Sequence, residues 1–137
     1  EMMLNIARFI IQSPKWNKTN IRVLFVNNNN IDSSIIESNI LSLIEDLRVN
    51  VEIKVINNAV EQIPFYKLIA KESLHTDLTL LGIPNFNIRK QAQFVTKTNE
   101  LFVTIGSTLM VKASENFNEI KLDIDMNNDE SEIAEEL

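Results

Sequence analysis

The stretch IRVLFVNNNNIDSSIIESNILSLI, residues 21–44, decides how this chain folds. Residues 21–26 are mostly apolar with β-branched side chains, the pattern of a strand buried on both faces. Four asparagines at 27–30 break the run, and asparagine favours turns because its short amide bonds to nearby backbone. The period then changes. Ile36, Ile40, Leu43, Ile44 and Leu47 recur at helical spacing, and Ser34 stands three residues ahead of Glu37, the spacing of a capping box. A buried strand, a polar turn and an amphipathic helix in that order make the first half of a βαβ unit.

Working outward, the same alternation continues. Residues 51–56, VEIKVI, read as a second strand nearer an edge, and FYKLIAKES after Pro64 reads as a short helix. DLTLLGI at 77–83 is a third strand. A helix from about 87 to 102 places Ile88, Ala92, Val95 and Phe102 on one face, which assigns that face to the core. STLMVKA at 107–113 is a fourth strand, and Glu119–Asp125 alternates like a half-exposed edge strand, with Ile120, Leu122 and Ile124 on one side. Upstream, Met3, Ile6, Ala7, Ile10 and Ile11 share a helical face that Pro14 ends, with Trp16 at the core edge beyond it. The expectation is an α/β domain over residues 1–125, with a doubly wound, mostly parallel sheet of about five strands and helices on both faces. Residues 126–137 are expected to be an acidic, disordered tail.

Composition narrows the function classes. The chain has no cysteine and a single histidine, His75, so a thiolate site or a histidine-rich metal site cannot be built from it. No apolar run reaches the roughly 20 residues of a membrane span. The N-terminus lacks the basic start and cleavage site of a signal peptide, and a chain opening on Glu1 reads as a piece of a longer protein. The net charge of −6 is local in origin. Seven acids (Asp123, Asp125, Asp129, Glu130, Glu132, Glu135 and Glu136) crowd the last fifteen residues without a base, so the body is almost neutral. No basic stripe marks a nucleic-acid surface.

In a doubly wound fold, ligands bind beyond the carboxyl ends of the strands. Three segments should lie there: residues 27–30, residues 82–86 and the turn after Lys112. Nucleotide-binding domains of the universal stress protein type carry an Asp after the first strand and a Gly-x-x-Gly loop. A Gly-Ser or Gly-Thr follows some nine residues later, so that backbone N–H groups can close on phosphate. This chain has Asn27 instead of the Asp. Gly82 is followed by Ile83, Pro84 and Asn85, and Gly106-Ser107 is a whole helix away. Gly82 therefore reads as a strand-to-loop turn. His75 near Ser73 and Asp77 reads as a surface or capping residue, since a triad needs convergence in space. Asp123 and Asp125 read as a solvated strand face, and Lys67, Lys71, Arg89 and Lys90 as solvated helix charges. Phe86, Phe94, Phe102 and Phe117 read as core packing. The residues supply no catalytic group, cofactor site or metal site.

Four segments in order carry a resemblance: an apolar helix running to Trp16 and IRVLFV, LIEDLRVNVEIKVI at 43–56 with Arg48 closing its helix, SLHTDLTLLGIP at 73–84, and STLMVKASENF at 107–117. Over residues 2–114 the chain resembles the second half of the cytosolic C-terminal region of cation–chloride cotransporters and their prokaryotic relatives. These are membrane transporters of the amino acid–polyamine–organocation superfamily. Their pattern of Asp-Leu, apolar pair, Gly, apolar, Pro is interrupted here by Thr79. The resemblance implies a stress-protein-like core and a non-catalytic regulatory or dimerisation domain at the cytoplasmic face of the membrane. It implies the transmembrane part of the same polypeptide as partner, and no site residue is carried over. From the edge strand follows the further expectation of a homodimer through Ile120, Leu122 and Ile124. The alternative is a stand-alone small-ligand or nucleotide sensor of the stress-protein type.

Overall fold

The computed structural model describes residues 2–45, 48–85 and 88–113. The chain runs as α1 (Met2–Ile11), β1 (Ile21–Asn27), α2 (Ser33–Glu45), β2 (Val51–Asn57), α3 (Phe65–Ser73), β3 (Leu78–Gly82), a 3-10 turn (Ile88–Lys90), α4 (Gln91–Thr104) and β4 (Ser107–Val111). The alternation read from the sequence is present, and the strands pair in parallel. β1 pairs with β2 from Ile21 opposite Val51 to Asn27 opposite Asn57. β3 pairs with β4 from Leu78 opposite Ser107 to Gly82 opposite Val111. These pairs are two two-stranded sheets, and they belong to two compact units that divide between Gln62 and Ile63. The expected edge strand with Ile120, Leu122 and Ile124, and the acidic tail, lie outside the described residues.

A parallel pair needs a crossover, and in the first unit α2 supplies it. Ile36, Ile40 and Ile44 fall one turn apart, are buried, and face β2. Leu43 is half-buried, and Leu47 lies outside the described residues. The start of α2 differs from the expected Ser34–Glu37 box. Asp32 is the cap: its carboxylate Oδ1 accepts from the Ser34 backbone N–H at 2.8 Å and from the Ser34 hydroxyl at 2.7 Å. Its carbonyl also accepts from the amides of Ile35 and Ile36. A carboxylate two residues upstream outcompetes the serine because it satisfies an orphan amide with full charge at the positive end of the helix. At the other end Arg48 has φ 52°, and its amide donates to the Glu45 carbonyl at 3.3 Å. That is a left-handed closure, usually given to glycine.

In the second unit α4 crosses over between β3 and β4, and α3 packs on α4. Leu68 and Ile69 on α3, Leu101 on α4, and Ile105 and Val111 are buried. The inward face of α4 is not the one expected from its periodicity. Thr98 and Leu101 are buried and Phe94 is half-buried, whereas Ile88, Val95 and Phe102 are exposed by 81%, 53% and 38%. The helix carries two apolar stripes, and periodicity alone cannot choose between them. The stripe that ends in Leu101 runs straight into buried Ile105, whose amide bonds to the Leu101 carbonyl at 3.0 Å, and it is this stripe that enters the core.

Two stability predictions follow from these elements. The Asp32 carboxyl is held below its ordinary range, first by the Ser34 hydroxyl and then by the Ser34 amide, against a small opposing desolvation. A depressed carboxylate contributes stability that is present above its unfolded value of about 4 and is lost as pH falls through the lowered folded value. Asp32→Asn should therefore keep the cap and lose part of the acid dependence, whereas Asp32→Ala should lower the melting temperature at neutral pH. Thermal melts from about pH 7 down to pH 3 read both outcomes. On β3, the hydroxyl of Thr79 is buried without a hydrogen-bond partner among the described residues. Replacing an unsatisfied hydroxyl by a methyl of the same shape removes its desolvation penalty, so Thr79→Val should gain about 1 kcal/mol in urea unfolding. A loss would show that the hydroxyl has a partner.

Candidate functional site

The carboxyl ends of parallel strands are where an α/β unit offers a site, and in the first unit they are occupied by the protein's own amides. Asn27 ends β1, Asn57 ends β2, and the parallel register sets them directly opposite each other. Asn27 is only 2% exposed. Its Nδ2 donates to the Ile31 carbonyl at 2.7 Å and to Asn57 Oδ1 at 2.8 Å. Its Oδ1 accepts from the Ile31 amide at 3.3 Å. Both donors and one acceptor site of the amide are thus used, and little bonding capacity is left for a ligand. Asn57 Nδ2 in turn donates to the Ser33 hydroxyl at 3.2 Å, which ties the strand pair to the first residue of α2. One residue on, Asn58 Nδ2 donates to Asn28 Oδ1 at 2.9 Å, and the Asn58 amide donates to the Asn27 carbonyl at 2.8 Å.

In the polar run at 27–30 that breaks the strand in the sequence, the side chains of Asn27 and Asn28 are thus bonded to Asn57 and Asn58. Asn30 takes φ 54°, which asparagine tolerates, and this brings the chain round to Asp32 and α2. An aspartate in place of Asn27 would have no donor for Ile31 or Asn57. That is the physical reason an amide stands here.

The two glycines do not form one loop. β3 and β4 are parallel, with Gly82 the last residue of β3 and Gly106 just before Ser107 at the start of β4. They lie at opposite ends of the strand pair, about 16 Å apart at 3.3 Å per residue. Gly82 is the last paired residue of β3, opposite Val111, where the strand passes into the loop as read from the sequence, but without a positive φ. The chain continues in strand-like fashion, with the Ile83 amide donating to the Val111 carbonyl at 2.8 Å. Gly106 stands in close approach to the chain ahead of β3. A Cβ there would stand 3.1 Å from the Thr76 carbonyl oxygen.

The remaining candidates are spread out. His75 is exposed in the turn after α3, Asp77 is exposed ahead of β3, and Ser73 is buried on α3. Lys67, Lys71 and Arg89 are exposed, and Lys90 is half-exposed. Phe86, Phe117, Asp123 and Asp125 lie outside the described residues, as does the turn beyond Ala113. Tyr66 on α3 meets Phe65 edge-on, with centroids 6.2 Å apart and planes at 76°. Burial pushes its phenol up, and the nearby Thr98 hydroxyl acts against that shift. Thr98 Oγ1 is buried and makes no hydrogen bond of normal geometry among the described residues. Among the described residues no three His, Asp or Glu side chains converge as a metal group, and no helix is long and apolar enough to cross a membrane.

The amide cluster was partly legible in the sequence. The run at 27–30 announced a polar strand end, but its partners Asn57 and Asn58 stand thirty residues away, and only the register of β1 on β2 brings them together. No family model, curated protein or solved structure matches this chain.

Asn27→Asp tests the cluster. At neutral pH it replaces two donated hydrogen bonds with carboxylate oxygens facing acceptors, which should cost about 2 kcal/mol in urea unfolding. Protonating the new carboxyl restores one donor, so the deficit should shrink at acid pH. A neutral effect at pH 7 would show that the amide bonds contribute nothing net.

Proposed function

We propose that this chain is a non-catalytic regulatory and dimerisation domain of a cation–chloride cotransporter-like membrane transporter, standing at the cytoplasmic face of the membrane. The reading joins two supports. One is the ordered resemblance of residues 2–114, in which DLTLLGIP and STLMVKA fall on the paired strands β3 and β4. The other, which carries the non-catalytic part, is the amide cluster, where the position that a stress-protein-type site would give to a nucleotide is filled by Asn27, Asn57 and their mutual hydrogen bonds. In this reading the described strands are parts of a doubly wound sheet of about five strands, and the chain acts by contacts to its own transmembrane part and to a second copy. Such a domain transmits position rather than chemistry, so well-bonded strand ends suit it.

A stand-alone nucleotide or small-ligand sensor is the second reading. It is favoured by the meeting of the amino end of α2 with the ends of β1 and β2 at Ser33 and Asn57. The two readings separate in solution. Calorimetry with ATP, ADP and cyclic dinucleotides should stay flat at millimolar ligand, since Gly82 lacks a second glycine and Pro84 lacks an N–H. A micromolar dissociation constant, equivalent to about 8 kcal/mol of binding free energy, would move the sensor to first place. Fractionation of cells with an antibody to this chain should find it in membranes, on a product with about a dozen spans of roughly 20 apolar residues. A soluble product of this length alone would end the transporter reading.

A further inference from the structure

The outer face of α4 is apolar, exposed and regularly spaced. Ala92, Val95, Asn99 and Phe102 are all exposed and recur at intervals of three and four, and Ile88 continues the series one turn earlier. Exposure reaches 81% at Ile88 and 88% at the flanking Val103. This is an a/d seam in which Ala92 and Asn99 occupy one position and Ile88, Val95 and Phe102 the other. The charges of the helix, Lys97 and Glu100, and those of the turn before it, Arg89 and Lys90, all lie off it. Singly exposed apolar residues need no explanation, but a continuous stripe along a whole helix does.

We propose that this stripe is the docking surface for a second copy of the same chain, through antiparallel pairing of α4 with α4. The inference deepens the proposed function and rests on that reading for its biological setting, although the surface itself is defined by α4 alone. Self-complementarity selects the occupant. In an antiparallel pair the helices run past each other so that Ala92 of one copy meets Phe102 of the other, and Val95 meets Asn99. The smallest seam residue thus faces the largest, twice, by symmetry. An uncharged seam imposes no like-charge repulsion on self-pairing, and antiparallel helix dipoles favour it. Asn99 faces Val95 in this register and finds no amide partner across the seam, so it weakens the pairing. Ile88 lies in the 3-10 turn and would stand opposite a residue beyond the end of α4, so the buried area comes from Val95, Phe102 and Val103. It is on the order of 300 Å² per copy, less than half of a standard interface, so the pairing is weak and concentration-dependent. This surface is distinct from Ile120, Leu122 and Ile124.

Sedimentation equilibrium on the full chain, from about 10 µM to 1 mM, tests the proposal. The wild type should show a monomer–dimer equilibrium. Val95→Glu with Phe102→Glu should weaken it at least about tenfold while keeping the wild-type circular dichroism, because Val95 and Phe102 are exposed. A wild type that is monomeric at 1 mM overturns the interface. So does a dimer that survives the double glutamate variant but is lost in Ile120→Lys with Ile124→Lys. Since the chain has no cysteine, thiol cross-linking gives a readout that does not depend on the charged variant folding. A mixture of Val95→Cys and Asn99→Cys proteins should cross-link to each other in preference to themselves, and a preference for like pairs would exclude the antiparallel register. Failure here, with the chain still found in membranes on a many-span product, removes the interface and leaves the transporter reading standing.

Discussion

The buried amide of Asn27 is the interaction on which the first unit depends. A parallel strand pair has no turn to join its ends, so something must hold β1, β2 and the crossover helix in register. Asn27 does this with one side chain, bonding forward to Ile31 in its own loop and across to Asn57 at the end of the neighbouring strand. Asn57 then reaches Ser33 on α2. A buried amide is tolerable only when its groups are bonded, and here the bonding connects three elements. The Ile36–Ile40–Ile44 face packs α2 on β2 without direction, and the amides supply the direction.

That arrangement bears on function. Where a nucleotide site would need free backbone N–H groups and open space, the ends of β1 and β2 carry side chains bonded to one another. The two glycines sit at opposite ends of the β3–β4 pair, and Gly106 lies close to the Thr76 carbonyl. In the proposed reading such strand ends suit a domain that holds a shape against other surfaces, and the stripe of α4 that is exposed among the described residues is the surface proposed for that role.

The price of the second unit lies in two hydroxyls, Thr79 on β3 and Thr98 on α4, both buried without hydrogen-bond partners among the described residues. Each sits where an aliphatic residue would pack without penalty. Thr98 belongs to the inward face of α4, so the helix turns a less apolar stripe to its core than the one it shows to solvent. Packing decided this orientation: Leu101 and Ile105 lie on the inward side and lead directly into β4, and α3 covers the same side.

The sequence by itself determined the kinds and order of the elements. Residues 21–26, 51–56, 77–83 and 107–113 were legible as strands from apolar runs and alternation, and each lies within two residues of its observed bounds at either end. These signals are local, because a strand or helix declares itself through the spacing of neighbouring side chains. What the tertiary structure decided was long-range or a choice between equals. Asp32 took the helix cap from Ser34 because its charged oxygen reaches the second amide of the helix. Asn57 and Asn58 joined the polar run at 27–30 only through parallel register. The two stripes of α4 were equal in periodicity, and neither declared itself core. A hydrophobic pattern states that a face wants burial, but which face obtains it depends on the partner the rest of the chain brings against it.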